Sequence, residues 1–306
     1  MAYFLDVFIS NNLKKSNRFA KKEYSTWNAI LESKINSNLF VYGNSRAWVH
    51  FNATMMTNDL HIPTYNLGID GHGFWLQYFR HSLVLKKNAK PKIIIVSIDE
   101  FSLEKRKDLY NSEQFLPYML WNSAIKNATK SYEGFISMDF EIPLIRYYGK
   151  TEALETALTY FLGNLKNPEQ RVKGYQGQLR TWNKDFEKAK TIIKKYEAKV
   201  DIPTLDLFKK FINECKSQNI KLIFVFAPEY IQGQKFIKNR KQIVSIYTKF
   251  SKDYDIPLYD YSNDTICFQK KYFYNSVHMN KLGADLFTAK LIDTLKQDQI
   301  MQSVLN

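Results

Sequence analysis

Cysteine is scarce in this chain: two residues in 306, Cys215 and Cys267. That argues against a disulfide framework and against a cysteine-based zinc site, and it leaves the cellular compartment open. No run approaches the roughly 20 apolar residues of a membrane span, and Met1 to Ser10 is too short for a secretory leader and lacks its basic start and cleavage site. As given the chain reads as soluble, with an anchor in a longer native chain left open. Neither Gly-x-Gly-x-x-Gly nor a P-loop occurs, which argues against nucleotide cofactors. His50, His61, His72 and His81 lack metal-ligand spacing such as His-Glu-x-x-His, so the expectation is neither cofactor nor metal. Internal repeats and low-complexity tracts are also missing.

What is present is enough apolar matter for a sizeable core: 45% of residues are hydrophobic and 15% aromatic, which points to one large domain with an insertion and against disorder. The formal charge of +14 raises the question of a polyanionic partner. The lysines form scattered pairs, Lys14-Lys15, Lys21-Lys22, Lys86-Lys87, Lys194-Lys195, Lys209-Lys210 and Lys270-Lys271, with no dense block, and there is no nucleic-acid motif. A solvated basic surface is favoured over nucleic-acid binding; an anionic polymer or an anionic membrane surface stays open as a partner.

Strand candidates at Leu39 to Tyr42, Thr64 to Leu67, Lys92 to Ile98, Lys221 to Phe226 and Pro257 to Tyr261 alternate with helical stretches, the pattern of a parallel sheet wrapped by helices. Ile93 to Val96 and Leu222 to Phe226 are continuous apolar runs, as expected of central strands buried on both faces. The fold class is therefore α/β. Thr204 after Pro203 reads as an N-cap followed by Leu205, Phe208, Phe211, Ile212 and Cys215 at helical spacing, and Ala284, Phe287, Leu291, Ile292 and Leu295 form a second core-facing stripe. Residues 1–38 read as an N-terminal helical lead-in to a body at 39–306. The interval 102–201 is too long for an ordinary crossover and reads as a helical insertion, with helical stretches at Thr151 to Leu162 and Lys184 to Lys199. Its Phe115 to Trp121 either lines a substrate groove over the sheet edge or seals the insertion onto the body.

The chemistry-bearing segment is Leu39-Phe40-Val41-Tyr42-Gly43-Asn44-Ser45-Arg46-Ala47. A strand ending in glycine turns sharply, and a serine at the start of a following helix sits where backbone N–H groups favour developing negative charge. In an open parallel sheet, ligands bind outside the carboxyl ends of the strands, where Ser45, Gly68, Asp99 and Glu229 all fall. His278, in the loop before the last helix, ends on the same side and supplies a base able to activate the hydroxyl. The competing account is that Ser45 caps a helix and His278 is an ordinary loop histidine.

These residues resemble the SGNH, or GDSL-like, hydrolase superfamily, and within it a bacterial branch whose first block reads Gly-x-Ser-Arg-Ala. Gly43-Asn44-Ser45-Arg46-Ala47 is similar to the nucleophile block, Asn66-Leu67-Gly68-Ile69-Asp70-Gly71 to the second, Ser97-Ile98-Asp99-Glu100 to the third, and Asn275-Ser276-Val277-His278-Met279-Asn280 with Gly283-Ala284 to the last. The resemblance leaves 102–201 unexplained. It implies a three-layer α/β/α sandwich on a five-stranded parallel, flavodoxin-like sheet. It further implies Ser45 as nucleophile, His278 as base, and an oxyanion held by the N–H groups of Ser45 and Gly68.

Two positions depart from the pattern. Asn275 stands where the family has its triad acid, so its carbonyl can orient His278 but brings no charge; Asp260 and Asp264 are the nearby carboxylates able to substitute. Asp99 stands where the family places an asparagine donor to the oxyanion. An ionised carboxylate about 4 Å from an oxyanion would oppose it by about 4 kcal/mol at an effective dielectric near 20. Arg46, Asp70 and His72 are candidate substrate contacts, with Arg46 more readily a brace for the turn and His72 an exposed turn residue. The expected function is that of a serine esterase or O-acyltransferase on acyl, especially acetyl, esters of a cell-surface glycan, located outside the cytoplasm. The alternatives are a catalytically weak protein of the same fold that binds or helps assemble a glycan, and a polyanion binder.

Overall fold

A computed structural model describes residues 1–16, 19–71, 73–165 and 171–305. The chain divides into two compact units, residues 1–34 with 106–171, and residues 35–105 with 172–306.

The larger unit is built on five strands, β1 (Leu39–Tyr42), β2 (Thr64–Asn66), β3 (Ile93–Ser97), β4 (Lys221–Phe226) and β5 (Leu258–Asp260). They lie in the order β2-β1-β3-β4-β5 and every pairing is parallel. β1, β3 and β4 are buried almost throughout, which is why their sequences are continuous apolar runs with no polar alternation. Their side chains alternate between the faces. Leu39, Val41, Ile93, Ile95, Ile223 and Val225 share one core cluster with Met56 and Leu60 of helix Ala53–Leu60 and with Phe287, Leu291 and Leu295 of helix Lys281–Gln297. Across the sheet Tyr42, Phe224 and Phe226 meet Phe208 and Phe211 of helix Ile202–Ser217 and Tyr247 of helix Arg240–Tyr254, with ring centroids 5.7–6.1 Å apart. Helices on both faces of a parallel sheet in this order make the α/β/α sandwich with the flavodoxin-like strand order. Each fully buried aliphatic or phenyl side chain on these two faces contributes about 1.5–3 kcal/mol relative to leaving it exposed.

Helix Ile202–Ser217 begins earlier than the apolar stripe indicates. Asp201, not Thr204, is its N-cap: the Asp201 carboxylate accepts the Thr204 N–H at 2.9 Å, and Pro203 occupies the first turn. A proline there loses no helical hydrogen bond, so it sits inside the helix start and does not precede it. The Lys184 to Lys199 stretch is helical only over Asp185–Ile192.

The smaller unit contains helices Ala2–Ser16, Glu23–Leu31, Ser123–Thr129 and Thr151–Phe161 and a 3-10 turn at Ser112–Tyr118. Phe115, Leu116 and Met119 are fully buried in it, with Phe115 5.5 Å from Trp27, so they are core and do not line a groove. A buried Arg146–Asp6 ion pair at 2.6 Å ties the first helix to the segment before Thr151. Among the described residues no helix is long and apolar enough to cross a membrane.

Candidate active site

The nucleophile turn follows β1. Gly43 adopts φ +143°, and a Cβ there would lie 2.7 Å from the Ser97 carbonyl oxygen, so both conformation and space demand glycine. Asn44 caps the next helix, Ser45–His50, its Oδ1 accepting the Arg46 N–H at 3.0 Å. Ser45 follows, half-buried.

His278 reaches it across 233 positions of sequence: Nε2 lies 2.7 Å from Ser45 Oγ. On the other side of the ring, Nδ1 is 3.1 Å from Asn275 Oδ1. That oxygen also accepts the backbone N–H groups of Val277 at 3.1 Å and His278 at 2.9 Å. Two backbone donors can face only the carbonyl end of the amide, so the orientation of Asn275 is fixed by its own loop. Nδ1 therefore carries the proton, and Nε2 offers its lone pair to the serine hydroxyl. The Tyr274 ring lies flat beside His278, centroids 5.3 Å apart and planes 3° apart.

His50 is a residue whose role sequence reasoning missed. It is fully buried at the end of the nucleophile helix, and its Nε2 accepts the N–H of Met279, the residue after the base, at 2.9 Å. Burial first, then the neighbouring His278 and Arg46, hold its pKa well below the ordinary histidine value. It is held neutral, and so able to accept that N–H. The signal was available only as a helix position five residues after the serine, indistinguishable from a core histidine.

Under the turn lies a buried charge cluster. Arg46, 3% exposed, is 2.8 Å from Glu100, 3.4 Å from Glu229 and 3.7 Å from Asp99, and Arg240 meets Glu100 at 2.7 Å. Two cations thus face three carboxylates. Burial, only partly offset by Arg46, pushes Glu229 up to about 8, so near neutral pH a proton there balances the cluster. Burial would raise Glu100 as well, but Arg46 and Arg240 outweigh it and hold Glu100 low.

These contacts place the remaining expected site residues. Arg46 is a brace, held by carboxylates, and is closed to substrate. Asp99 is fully buried and raised by burial; Oδ1 accepts the Phe101 N–H at 2.8 Å and Oδ2 accepts Asn44 Nδ2. It orients Asn44 and does not face an oxyanion. The Gly68 N–H donates to Asn66 Oδ1 at 3.0 Å, so that amide is taken up within its own turn. A Cβ on Gly68 would lie 2.4 Å from the Trp48 amide nitrogen, so this glycine serves close packing against the nucleophile helix. Asp70 is half-buried in the following turn and bears electrostatically on Tyr274; His72 lies outside the described residues. Asp260 accepts the Ser262 N–H, and Asp264 accepts the Ile266 N–H and pairs with Lys290 at 2.7 Å, so neither supports His278. Among the described residues no group of histidine, cysteine and carboxylate ligands is placed to hold a metal.

The fold and site together define an α/β/α protein with a Ser-His-Asn arrangement at the carboxyl ends of its strands. No family model matches the chain, and no curated protein matches it. Solved structures with a similar outline include a protein of Bacteroides fragilis assigned as an acylhydrolase, 13% identical with TM-score 0.42, covering 93% of this chain and 97% of that one. Others are an acetyl xylan esterase, 13% identical with TM-score 0.41 over 84% and 98% of the two chains, and a GDSL-like lipase of Bacteroides thetaiotaomicron, 14% identical with TM-score 0.39 over 89% and 97%. The likeness to these proteins is one of outline alone.

Proposed function

We propose that this protein is a serine-dependent ester hydrolase or O-acyltransferase. The observation that carries the reading is the continuous chain of contacts from Ser45 Oγ through His278 to Asn275 Oδ1. Ser45 attacks the ester carbonyl while Nε2 takes its proton; the imidazolium then returns that proton to the departing alkoxide, leaving an acyl-serine. Water or an acceptor hydroxyl resolves the acyl-enzyme by the reverse route. With the Gly68 amide engaged, the donors left for the oxyanion are the Ser45 N–H and the second Nδ2 hydrogen of Asn44, whose amide is pinned at both ends by Arg46 and Asp99.

The resemblance of the four sequence blocks supports an acyl ester of a cell-surface carbohydrate as substrate, and a location outside the cytoplasm. A second reading, a weak catalyst that mainly binds or assembles glycan, is favoured by the neutral Asn275 and the engaged Gly68 amide. A fluorophosphonate probe separates them. Stoichiometric labelling at Ser45, lost in Ser45→Ala and in His278→Ala, is the expected outcome. No labelling at any pH would sink the enzymatic reading.

A further inference from the structure

The segment 176–183 is anchored to both halves of the site. The Gln176 N–H bonds Trp48 O in the nucleophile helix at 3.2 Å. The Lys281 N–H donates to Gln178 O at 2.9 Å and the Asn183 N–H to Tyr274 O at 2.8 Å, one anchor on each side of the histidine loop. Between these anchors Leu179, Arg180 and Thr181 stand exposed, Leu179 by 84%. The Arg180 guanidinium lies 5.6 Å from the Tyr274 ring centroid, and that ring lies flat beside His278 at 5.3 Å. Arg180 is thus no further from the imidazole than those two distances laid end to end, close enough for its guanidinium to meet a charged group on an ester held at Ser45. Among the described residues no carboxylate comes within ion-pair distance of Arg180, although Asp70 and Asp185 both bear on Tyr274.

We infer that Arg180 is a specificity-determining residue that binds a carboxylate on the ester substrate, so that the preferred substrates are anionic esters. The inference rests on the proposed ester chemistry. Arginine suits the task because its planar fork of five N–H donors matches a carboxylate in bidentate fashion and its face packs on an aromatic ring. The two hydrogen bonds flanking the segment hold its backbone, so much of the ordering needed for binding is already in place.

The test compares p-nitrophenyl acetate, which is neutral, with p-nitrophenyl hemisuccinate, whose carboxylate is on the acyl side, and p-acetoxybenzoate, whose carboxylate is on the alcohol side. In Arg180→Gln the ratio of kcat/KM for a charged ester over the neutral one falls about tenfold, mostly through KM, and Arg180→Lys retains part of it. The charged ester whose ratio falls shows on which side the carboxylate sits. Added salt narrows the wild-type preference. Equal changes on all three esters, or none, overturn the inference. An independent arm titrates Ser45→Ala protein with methyl hemisuccinate and with p-acetoxybenzoate by calorimetry, with and without Arg180→Gln. Binding that needs Arg180, together with failure of the unsubstituted protein to turn over any of the three esters, would overturn the proposed function and leave the anion site standing; equal binding with and without Arg180 overturns the anion site.

Discussion

Replacing Asn275 with Asp puts a carboxylate where a neutral amide now accepts three N–H groups, one of them from the ring of His278. In a serine protease the reverse change costs about 10⁴ in turnover, largely because it leaves the imidazole in the wrong tautomer. Here the tautomer is already correct, since the backbone N–H groups of Val277 and His278 fix the amide oxygen toward Nδ1. Only the charge is missing. With Nδ1 and Oδ1 3.1 Å apart, the charge centres would sit about 5 Å apart, and a pair at that separation gains about 1.5–3 kcal/mol for an effective dielectric between about 40 and 20. Asn275→Asp is therefore expected to raise kcat/KM on p-nitrophenyl acetate by about 10- to 100-fold. The acid limb of the pH profile should move upward by about one unit or more, because the carboxylate favours the imidazolium that must lose its proton before the serine can react. Fold is little perturbed: among the described residues no bond from Asn275 Nδ2 is lost. An unchanged rate with an unchanged pH profile would refute the placement of Oδ1 against His278. A fall in rate without loss of thermal stability would show that the ring depends on the amide in some other way.

Glu229 provides a test of the cluster beneath the turn. Its pKa is raised from 4.5 to about 8 by burial, so in that interval the folded state holds a proton the unfolded state has released, and stability falls as pH rises through the window. Glu229→Gln should flatten the fall, read as the melting temperature across pH; a variant with the same slope as wild type would refute the assignment of the proton. His50→Leu removes the acceptor of the Met279 N–H and should cost about 1–3 kcal/mol in chemical denaturation and lower acylation rate at least about tenfold. His50→Gln, which can restore an acceptor, should recover part of the rate; equal loss in both variants would mean that the imidazole does more than hold that N–H.

The sheet was legible because its strands are dense apolar runs bounded by turns, and the observed β1 and β4 have the expected bounds while β2, β3 and β5 differ by one or two end residues. The Ser45–His278 contact was legible for a topological reason: both residues follow elements that finish at one edge of a parallel sheet. The supporting cast was harder to read. Arg46 reads as a brace in sequence, but that carboxylates hold it, and that Asp99 turns to Asn44 and the Phe101 N–H, shows only in the packing. The engagement of the Gly68 amide by Asn66 depends on a side-chain rotamer, and the role of His50 depends on a contact between positions 229 apart. Residues 102–201 were hardest, because the unit border falls within them: 106–171 group with the first 34 residues and 172–306 with the sheet. No composition shift in the sequence marks that border.

Arg46 sits one residue after the serine, yet its partners come from elsewhere: Asp99 and Glu100 just beyond β3, and Glu229 just beyond β4. The nucleophile turn is thus clamped by charges that three different strands must deliver together. A chain with β1 paired but β4 not yet docked would expose an arginine with an incomplete set of counter-charges and a serine without its geometry. Reactivity at Ser45 should then appear in the last cooperative step of folding, with no active fragment before it, and probe labelling during refolding would report completion of the sheet.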